Sequence, residues 1–244
     1  MELVLISDTH NRHKHLTSNG MGNILPEGDL LIHSGDLTGV GQKGEVLDVL
    51  KWFKEVAPRY THGIVFIAGN HDRSFDPKFN DSIQKPDWLQ EELASLSSNI
   101  HYLENSDVTI NGVKIWGSPI TPWFHGDRWA FNVHRGADIW EVWDQIPNDT
   151  DIVITHGPVA YKLDYIPNQN VYVGCEQLRV AMGRVVPLIH TTGHIHESYG
   201  YEYGSNGVNY FNASICDEYY LPNNKPWEIE LDLESREISG NFII

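Results

Sequence analysis

The sequence predicts an α/β fold in which two packed mixed sheets are flanked by helices, in a single domain over residues 1–244. Three observations predict it. Short apolar runs rich in β-branched residues recur along the chain, segments with apolar residues at helical spacing lie between them, and two Asn-Gly pairs mark tight turns. A chain of 244 residues is long enough to bury a substantial core as one domain.

Five of the apolar runs have the uniform composition of strands that are covered on both faces by helices. They are Leu3–Ile6, Leu30–Ile32, Ile64–Ala68, Ile152–Ile154 and Leu188–Ile189. Asn111-Gly112 suits a type I′ turn, so residues 108–115 are predicted to form a hairpin. A second hairpin is expected over Tyr201–Tyr210, and two strands near 227–233 and 237–243 are expected to close the chain.

Four segments are predicted to be helices. They are residues 44–57, 87–97, 136–145 and 176–184. The first places Val46, Val49, Leu50 and Phe53 on one face, and the second begins at Asp87 with a candidate capping pattern.

A side chain of a metal-binding type follows each of the five apolar runs. These residues are Asp8 and His10, Asp36, Asn70, His156, and His194 and His196. Ligands of open α/β sheets bind beyond the carboxyl ends of the strands, so the five ends are expected to converge on one rim. Any one of these residues alone is more often a capped turn or a satisfied polar group, but their shared placement favours a metal site.

The residue types suit a pair of divalent ions. Asp and His bind borderline divalent metals, and the neutral Asn carbonyl can fill one position. Asp36 is the candidate bridging carboxylate. Two ions about 3.5–4 Å apart can hold both the attacking and the leaving oxygen of a displacement at phosphorus, with a water or hydroxide between them as the nucleophile. His71 is the candidate acid for the leaving oxygen, with Asp72 orienting it.

The motifs resemble those of the calcineurin-like metallophosphoesterase superfamily, and they occur in the order expected of it. They are Asp8-Thr9-His10, Gly35-Asp36, Gly69-Asn70-His71-Asp72, Thr155-His156-Gly157 and Gly193-His194-Ile195-His196. The resemblance implies a calcineurin-like α/β/β/α sandwich. It also implies that Asp8, His10, Asp36 and His196 hold one ion, and that Asp36, Asn70, His156 and His194 hold the other.

Further segments resemble the metallophosphoesterase-domain subgroup (MPPED, or 239-like). They are Gly117-Ser118-Pro119, Trp129–Asn132, Gly193–Gly200 and Asn212-Ala213-Ser214, the last preceded by Phe211 where Ile or a similar residue is expected. This resemblance implies hydrolysis of phosphodiesters, including cyclic nucleotides, with Mn favoured and Fe, Zn, Ni or Mg as alternatives. Some members carry Gly in place of His194, so the complete ligand set implies an intact second metal site. Leu37-Thr38-Gly39 after Asp36 departs from the serine/threonine protein phosphatases and disfavours that class.

Charge and composition limit the classes of substrate and partner that the sequence favours. The formal net charge of −16 repels long polyanions, which favours a small phosphorylated substrate over a nucleic-acid polymer. No apolar run approaches the roughly 20 residues needed to span a bilayer, and no membrane partner is expected. The N-terminus has no signal-peptide pattern, and Cys175 and Cys216 give no disulfide framework, so a cytoplasmic location is expected.

The aromatic-rich segment 123–131 is the candidate substrate wall, with Trp123, Phe124 and Phe131 as the residues that would stack on a nucleobase. A loop that only folds its own aromatics over the sheet is an equally open interpretation. Among the other histidines, His33 is predicted to lie in the core. His13, His15, His62 and His101 are expected at the surface, and His125, His134 and His190 are left open, with His190 assigned to a strand.

These observations favour a dinuclear-metal-dependent phosphodiesterase that hydrolyses a small phosphodiester, with a cyclic nucleotide as one candidate. A phosphomonoesterase or nuclease acting at the same site is the alternative. A non-catalytic interaction scaffold is disfavoured, because His71 and every ligand are retained.

Overall fold

The computed structural model describes residues 1–17, 24–80, 84–126 and 128–240. The strands in these ranges are β1 (Glu2–Ile6), β2 (Leu30–His33), β3 (Ile64–Phe66), β4 (Ile100–Tyr102), β5 (Ser106–Ile110), β6 (Val113–Ser118), β7 (Thr121–Pro122), β8 (Asn132–Val133), β9 (Ile152–Thr155), β10 (Tyr165–Ile166), β11 (Val171–Tyr172), β12 (Ile189–Thr192), β13 (Gly200–Tyr203), β14 (Asn209–Asn212), β15 (Trp227–Leu231) and β16 (Ile238–Gly240). The α-helices are α1 (Lys43–Val56), α2 (Asp87–Ala94), α3 (Ala137–Trp143) and α4 (Glu176–Val185). Short 3₁₀ turns cover His13–Leu16, Ala57–Arg59, Arg73–Phe75, Pro77–Asn80 and His196–Ser198.

Two six-stranded mixed sheets form the frame. The first has the order β16-β15-β1-β2-β3-β4, in which β1 to β4 run parallel and β15 and β16 pair antiparallel. The second has the order β13-β14-β12-β9-β6-β5, with β14, β12, β9 and β6 parallel and an antiparallel strand at each edge. The predicted class of two mixed sheets flanked by helices is confirmed.

The two faces of each sheet explain why the central strands are apolar throughout. On β1, Leu3 and Leu5 pack into the cluster between the sheets, together with residues such as Ile154 of β9. The alternate residues of β1 point outward into the cluster that contains the helices, where Phe53 of α1 is fully buried. Because successive side chains of a strand point to opposite faces, a strand covered on both sides needs apolar residues at every position.

The predicted helices and hairpins are present, with shifted ends. α2 ends at Ala94 rather than 97, because the hydroxyl of Ser95 donates to the Glu92 carbonyl and competes with the helical pattern. Its predicted cap is wrong, since Asp87 is the first helical residue and follows Pro86. At the first hairpin Asn111 and Gly112 both have positive φ, 50° and 81°, as a type I′ turn requires.

The closing strands and the second hairpin also form. β13 and β14 pair antiparallel across the second predicted hairpin. β15 pairs with both β1 and β16, and residues 241–243 of the last predicted strand lie outside the described residues. None of the helices in the four described ranges is both long enough and apolar enough to cross a membrane.

The histidines outside the candidate site divide into confirmed and wrong predictions. His33 is buried in β2 and lies 3.0 Å from the Thr9 hydroxyl, and His190 of β12 lies 2.9 Å from the Thr155 hydroxyl, both as predicted for strand residues. His13 was predicted at the surface and is fully buried, because its 3₁₀ turn packs under α1 with the ring 5.3 Å from that of Trp52. His15, His62 and His101 are half-buried rather than fully exposed.

Candidate metal centre

The carboxyl ends of five parallel strands from both sheets meet at one rim. Residues after β1, β2 and β3 come from the first sheet, and residues after β9 and β12 come from the second. The structure brings all seven predicted ligands to this rim: Asp8, His10, Asp36, Asn70, His156, His194 and His196. Parallel strands end at the same edge of a sheet, so motifs that are far apart along the chain place their polar side chains around one rim.

The side chains form two groups that meet at Asp36. In the first group, His196 Nε2 lies 3.2 Å from both Asp8 Oδ1 and His10 Nε2. His10 Nε2 is 3.7 Å from Asp36 Oδ2. In the second group, His156 Nε2 lies 3.2 Å from the same Asp36 oxygen and 3.0 Å from Asn70 Oδ1.

His194 completes the second group, with its ligand atom within 4.8 Å of those of Asp36 and His156. The Asp36 carboxylate is therefore adjacent to both groups. A bridging carboxylate would occupy this position.

The imidazole rings are held with their Nε2 atoms facing inward. Nδ1 of His10 lies 3.1 Å from the Thr38 carbonyl, that of His156 lies 2.9 Å from the Ser34 carbonyl, and that of His196 lies 2.8 Å from the Asp217 carbonyl. A carbonyl can only accept, so each Nδ1 carries a hydrogen and each Nε2 faces the rim, where it can hold a proton or bind a metal ion. Carboxylate oxygens and imidazole nitrogens held about 3 Å apart need a proton or a metal cation between them, so this donor set fits divalent ions bound through nitrogen and oxygen.

The electrostatics of the carboxylates indicate the same need for a cation. Burial alone would raise the pKa of Asp36, but the positive charges of His156 and His71 hold it well below its usual value. Burial opposes the charged form of His156, yet the charge and hydrogen bond of Asp36 raise the pKa of His156 to about 9. His196 behaves in the same way beside Asp8, and its pKa also rises to about 9.

In the other two histidines burial outweighs the attraction of the carboxylates. Burial is the largest influence on both, and it lowers the pKa of His10 to about 4 and that of His194 to about 3. The centre therefore combines neutral imidazoles at His10 and His194 with protonated imidazoles at His156 and His196, where a proton supplies positive charge beside the buried carboxylates.

The backbone turns sharply at several of the ligand positions. Asp8, Asp36 and His194 have positive φ values of 50°, 51° and 68°, a conformation that few non-glycine residues adopt. The space beside the glycines that precede two of the ligands is also restricted. A Cβ on Gly193 would lie 1.9 Å from Asp8 Oδ2, and a Cβ on Gly69 would lie 2.3 Å from Asp36 Oδ1. Glycine before a ligand thus lets the backbone of one strand end pack against the carboxylate of another.

His71 lies beside the two groups but is oriented differently from the prediction. Its Nε2 is 4.0 Å from Asp36 Oδ2, and its Nδ1 lies 2.5 Å from the Gly39 carbonyl. The prediction that Asp72 orients His71 is wrong. The Asp72 carboxylate accepts hydrogen bonds from the backbone N–H groups of Leu37, Thr38 and Gly69 and from the Thr38 hydroxyl, so it shapes the loop after β2.

A cavity of about 400 Å³ opens above the centre and tests the aromatic prediction. Trp123 and Phe124 line it, and the Phe124 ring lies 5.0 Å from that of His194. Phe131 does not line it, so its assignment as a substrate contact is wrong. The residue is 6% exposed and its ring packs in the hydrophobic core, while its backbone N–H donates to the buried Asp76 carboxylate.

Sequence reasoning missed other residues that line the cavity. The Trp129 ring lies 4.4 Å from that of His71, and the Tyr220 ring lies 4.8 Å from His10 and 5.1 Å from His196. Arg135 and Tyr172 also line the cavity. Trp129 lies within the aromatic-rich segment, so a sequence pattern could have indicated it. No sequence pattern indicates Tyr220, because it reaches the site through a loop whose backbone N–H groups donate to the Asp217 carboxylate.

The comparisons with known proteins agree with the fold and show the family. A family model described as calcineurin-like phosphoesterase matches residues 1–198. Human metallophosphoesterase domain-containing protein 1 is 39% identical over 241 residues, an alignment that covers 93% of this chain and 70% of the human protein. A UPF0046 protein of Caenorhabditis elegans is 32% identical over 223 residues, covering 89% of this chain and 71% of its own.

Solved structures share the fold at low sequence identity. TT1561 of Thermus thermophilus aligns with a TM-score of 0.59 at 12% identity, covering 99% of this chain and 98% of its own. A Staphylococcus aureus protein described as a 5′-nucleotidase aligns with a TM-score of 0.54 at 13% identity, covering 99% of this chain and 52% of its own.

Together the fold and the donor groups define a metal-dependent phosphoester hydrolase. The chain belongs to the calcineurin-like phosphoesterase family.

The packing at Gly193 leads to a prediction about stability. We expect Gly193→Ala to lower the free energy of unfolding by about 1–3 kcal/mol, the usual cost of forcing an extra methyl group into a packed site. The methyl group would collide with Asp8 Oδ2 and Ser7 Oγ. Urea unfolding measures the effect. Gly183→Ala in α4 is the matched control, because no atom lies within 4 Å of its added Cβ. Equal stability of the two variants would contradict the packing argument.

Proposed function

We propose that this chain is a phosphodiesterase that hydrolyses a small phosphodiester, with a cyclic nucleotide as one candidate, and that its seven rim side chains hold two divalent ions. The observation that carries the proposal is the pair of donor groups that share Asp36 at the base of a cavity of about 400 Å³. Mn is the favoured metal, with Fe, Zn, Ni and Mg as alternatives. When bound, the ions would neutralise charge on the phosphoryl oxygens and lower the pKa of a water between them.

We assign separate roles to the residues around that water. Asp36 is proposed to bridge the two ion positions, because its carboxylate is adjacent to both donor groups. The inward Nε2 atoms of His10, His156 and His196 are fixed by carbonyls at their Nδ1 atoms, so the rings are oriented before a ligand arrives. Such preorganisation reduces the reordering that binding would otherwise require.

His71 is proposed to donate a proton to the leaving oxygen. The Gly39 carbonyl accepts at Nδ1, so the Nε2 atom is left facing Asp36 and the cavity. Trp129 packs on the ring and keeps it in that orientation. A group held in this way can protonate an alkoxide as the bond to phosphorus breaks.

The charge of the cavity wall supports a diester over a monoester. Arg135 is the one Lys or Arg among the described residues that line the cavity. Its guanidinium already donates to the carbonyls of Val173 and Gly174 and pairs with Glu176. A diester carries one negative charge and a monoester carries up to two, so a wall with so little free positive charge is better matched to the diester. A phosphomonoesterase or a nuclease acting at this centre is the alternative.

Two further expectations belong to the proposal. The formal charge of −16 disfavours nucleic-acid polymers as substrates. A cytoplasmic location is supported by Cys175 and Cys216, which are both buried and unpaired, as is usual in a reducing compartment.

The first test compares ester types. Protein stripped of metal and reloaded with Mn should hydrolyse bis(p-nitrophenyl) phosphate with a higher kcat/KM than p-nitrophenyl phosphate. Asp36→Ala should be inactive and should bind less metal, because it deletes the shared ligand, whereas Asp107→Ala changes an exposed residue of β5 and should behave like the wild type. A monoester preference would overturn the diesterase proposal. Wild-type metal content in Asp36→Ala would contradict the bridge.

The second test separates metal binding from proton transfer. His71→Ala should keep both metals and lose about 10²–10⁴-fold in kcat, the usual contribution of a general acid. The loss should be smaller for a nitrophenolate leaving group than for an alkoxide, since nitrophenolate needs little protonation. His101→Ala is the matched control, because that half-buried histidine lies on the edge strand β4 and does not line the cavity. Equal losses for both leaving groups would refute the acid role.

A further inference from the structure

A short hairpin that no sequence motif indicated forms part of the cavity wall. It consists of β10, β11 and the turn between them, and we call it the hairpin 165–172. Ile166, Gln169 and Tyr172 of this hairpin line the cavity, and so does the following residue, Val173. With two paired residues in each strand, such a hairpin is not stable by itself and must be held by its surroundings.

The hairpin is anchored at both ends and on one side. The buried Asp164 carboxylate accepts hydrogen bonds from the backbone N–H groups of Tyr161, at 3.0 Å, and Gly174, at 2.8 Å, which clamps the base. Arg135 donates to the carbonyls of Val173 and Gly174. These contacts fix the base of the hairpin to the segment between β8 and α3 that carries Arg135.

A third anchor ties the hairpin to the metal centre itself. The Ser198 hydroxyl donates to the Tyr165 carbonyl at 2.7 Å, and Ser198 is in the same 3₁₀ turn as the ligand His196. The position of the hairpin relative to the donor groups is therefore set before any ligand binds, as a specific binding site requires.

Tyr172 offers a supported aromatic face. Its ring lies 4.9 Å from that of Tyr165 and 5.3 Å from that of Tyr161, yet 56% of the residue is exposed. Neighbouring rings restrict its rotation and leave a planar surface at the cavity. A fixed, exposed ring of this kind is suited to stacking on a flat heterocycle.

Gln169 offers the complementary polar group. It is exposed at the turn and lines the cavity, and its side-chain amide makes no hydrogen bond to another residue within the part of the chain that the structure describes. The turn that carries it is held by the Tyr165 hydroxyl, which donates to Asn170 Oδ1 at 2.8 Å. A free amide presents a donor and an acceptor side by side, the pattern that pairs with the edge of adenine.

We infer that the hairpin 165–172 is the subsite for a neutral planar heterocycle on the substrate, with Tyr172 stacking on its face and Gln169 hydrogen bonding to its edge. The inference rests on the proposed phosphodiesterase function and names the group that the substrate carries beyond its phosphate. The residues that the hairpin contributes to the cavity carry no charge, so the subsite suits a nucleobase and not a second phosphate.

The test uses two diesters that share a leaving group. One is the p-nitrophenyl ester of adenosine 5′-phosphate, and the other is methyl p-nitrophenyl phosphate, which lacks the base. Tyr172→Ala should lower kcat/KM for the adenosine ester by about 5- to 150-fold, as expected for loss of one base–aromatic stack. It should leave the methyl ester within about twofold of the wild type, and Tyr172→Phe should retain the adenosine preference, because the ring and not the hydroxyl is the contact.

Gln169 is tested with the same two esters. Gln169→Glu removes the donor that a ring nitrogen of the base would accept, so it should lower kcat/KM for the adenosine ester and leave methyl p-nitrophenyl phosphate, which has no base, within about twofold of the wild type. Tyr203→Ala is the matched control, because Tyr203 is 64% exposed and lies outside the cavity. Thermal unfolding of each variant checks that the fold is retained.

The outcomes separate this inference from the proposed function. If the wild type hydrolyses both esters and the Tyr172→Ala loss is equal for the two, or absent, the subsite is wrong and the diesterase stands. If the wild type hydrolyses neither, the diesterase proposal fails, and the subsite is then judged by calorimetric binding of adenosine 5′-phosphate to the metal-loaded protein. A Kd unchanged by Tyr172→Ala would overturn the subsite, and a Kd raised in that variant but not in Tyr203→Ala would support it.

Discussion

The central constraint on this structure is the close approach of buried carboxylates and imidazole nitrogens at one rim. Asp8 and Asp36 are almost fully buried, and the inward Nε2 atoms of His10 and His196 are 3.2 Å apart. Buried carboxylates without positive charge are costly, and the pKa of His156 is raised because a proton there partly meets the need. Divalent ions would meet it fully, which is why the centre is best understood as a protein site built around cations.

The rest of the fold brings these donor side chains together. Two sheets packed face to face bring strand ends from both sheets to one rim, and a single sheet would supply only one row of them. Glycines such as Gly193 allow backbone from one strand end to press against a carboxylate from another. Aromatic rings then close around the imidazoles, with Phe124 beside His194, Trp129 beside His71 and Tyr220 beside His10.

The sequence predicted what depends on local pattern. Apolar runs followed by Asp, Asn or His mark strand ends, so the seven rim residues and both sheets could be predicted from the sequence alone. Contacts that depend on packing between distant parts of the chain could not be predicted in this way. Asp72 follows His71 in sequence, yet its carboxylate faces the loop after β2. Phe131 belongs to an aromatic-rich segment, but its ring packs in the core, and nothing in the local sequence distinguishes it from the rings that line the cavity.

The same reasoning explains the residues that were missed. The prediction that places His13 at the surface is wrong, and the packing of α1 over this residue has no local signature in the sequence. The hairpin 165–172 has strands of two residues each, too short for a periodic pattern. Its place at the cavity comes from Asp164, Arg135 and Ser198, which are contacts that only the folded chain reveals.

The most direct test of the account is anomalous X-ray diffraction from crystals of the Mn-loaded protein, recorded on both sides of the Mn absorption edge. The account predicts two anomalous peaks about 3.5–4 Å apart, with the Asp36 carboxylate between them. One peak should be ringed by Asp8, His10 and His196, and the other by Asn70, His156 and His194. A single peak, or peaks away from this rim, would contradict the claim that these strand ends are built to hold two ions.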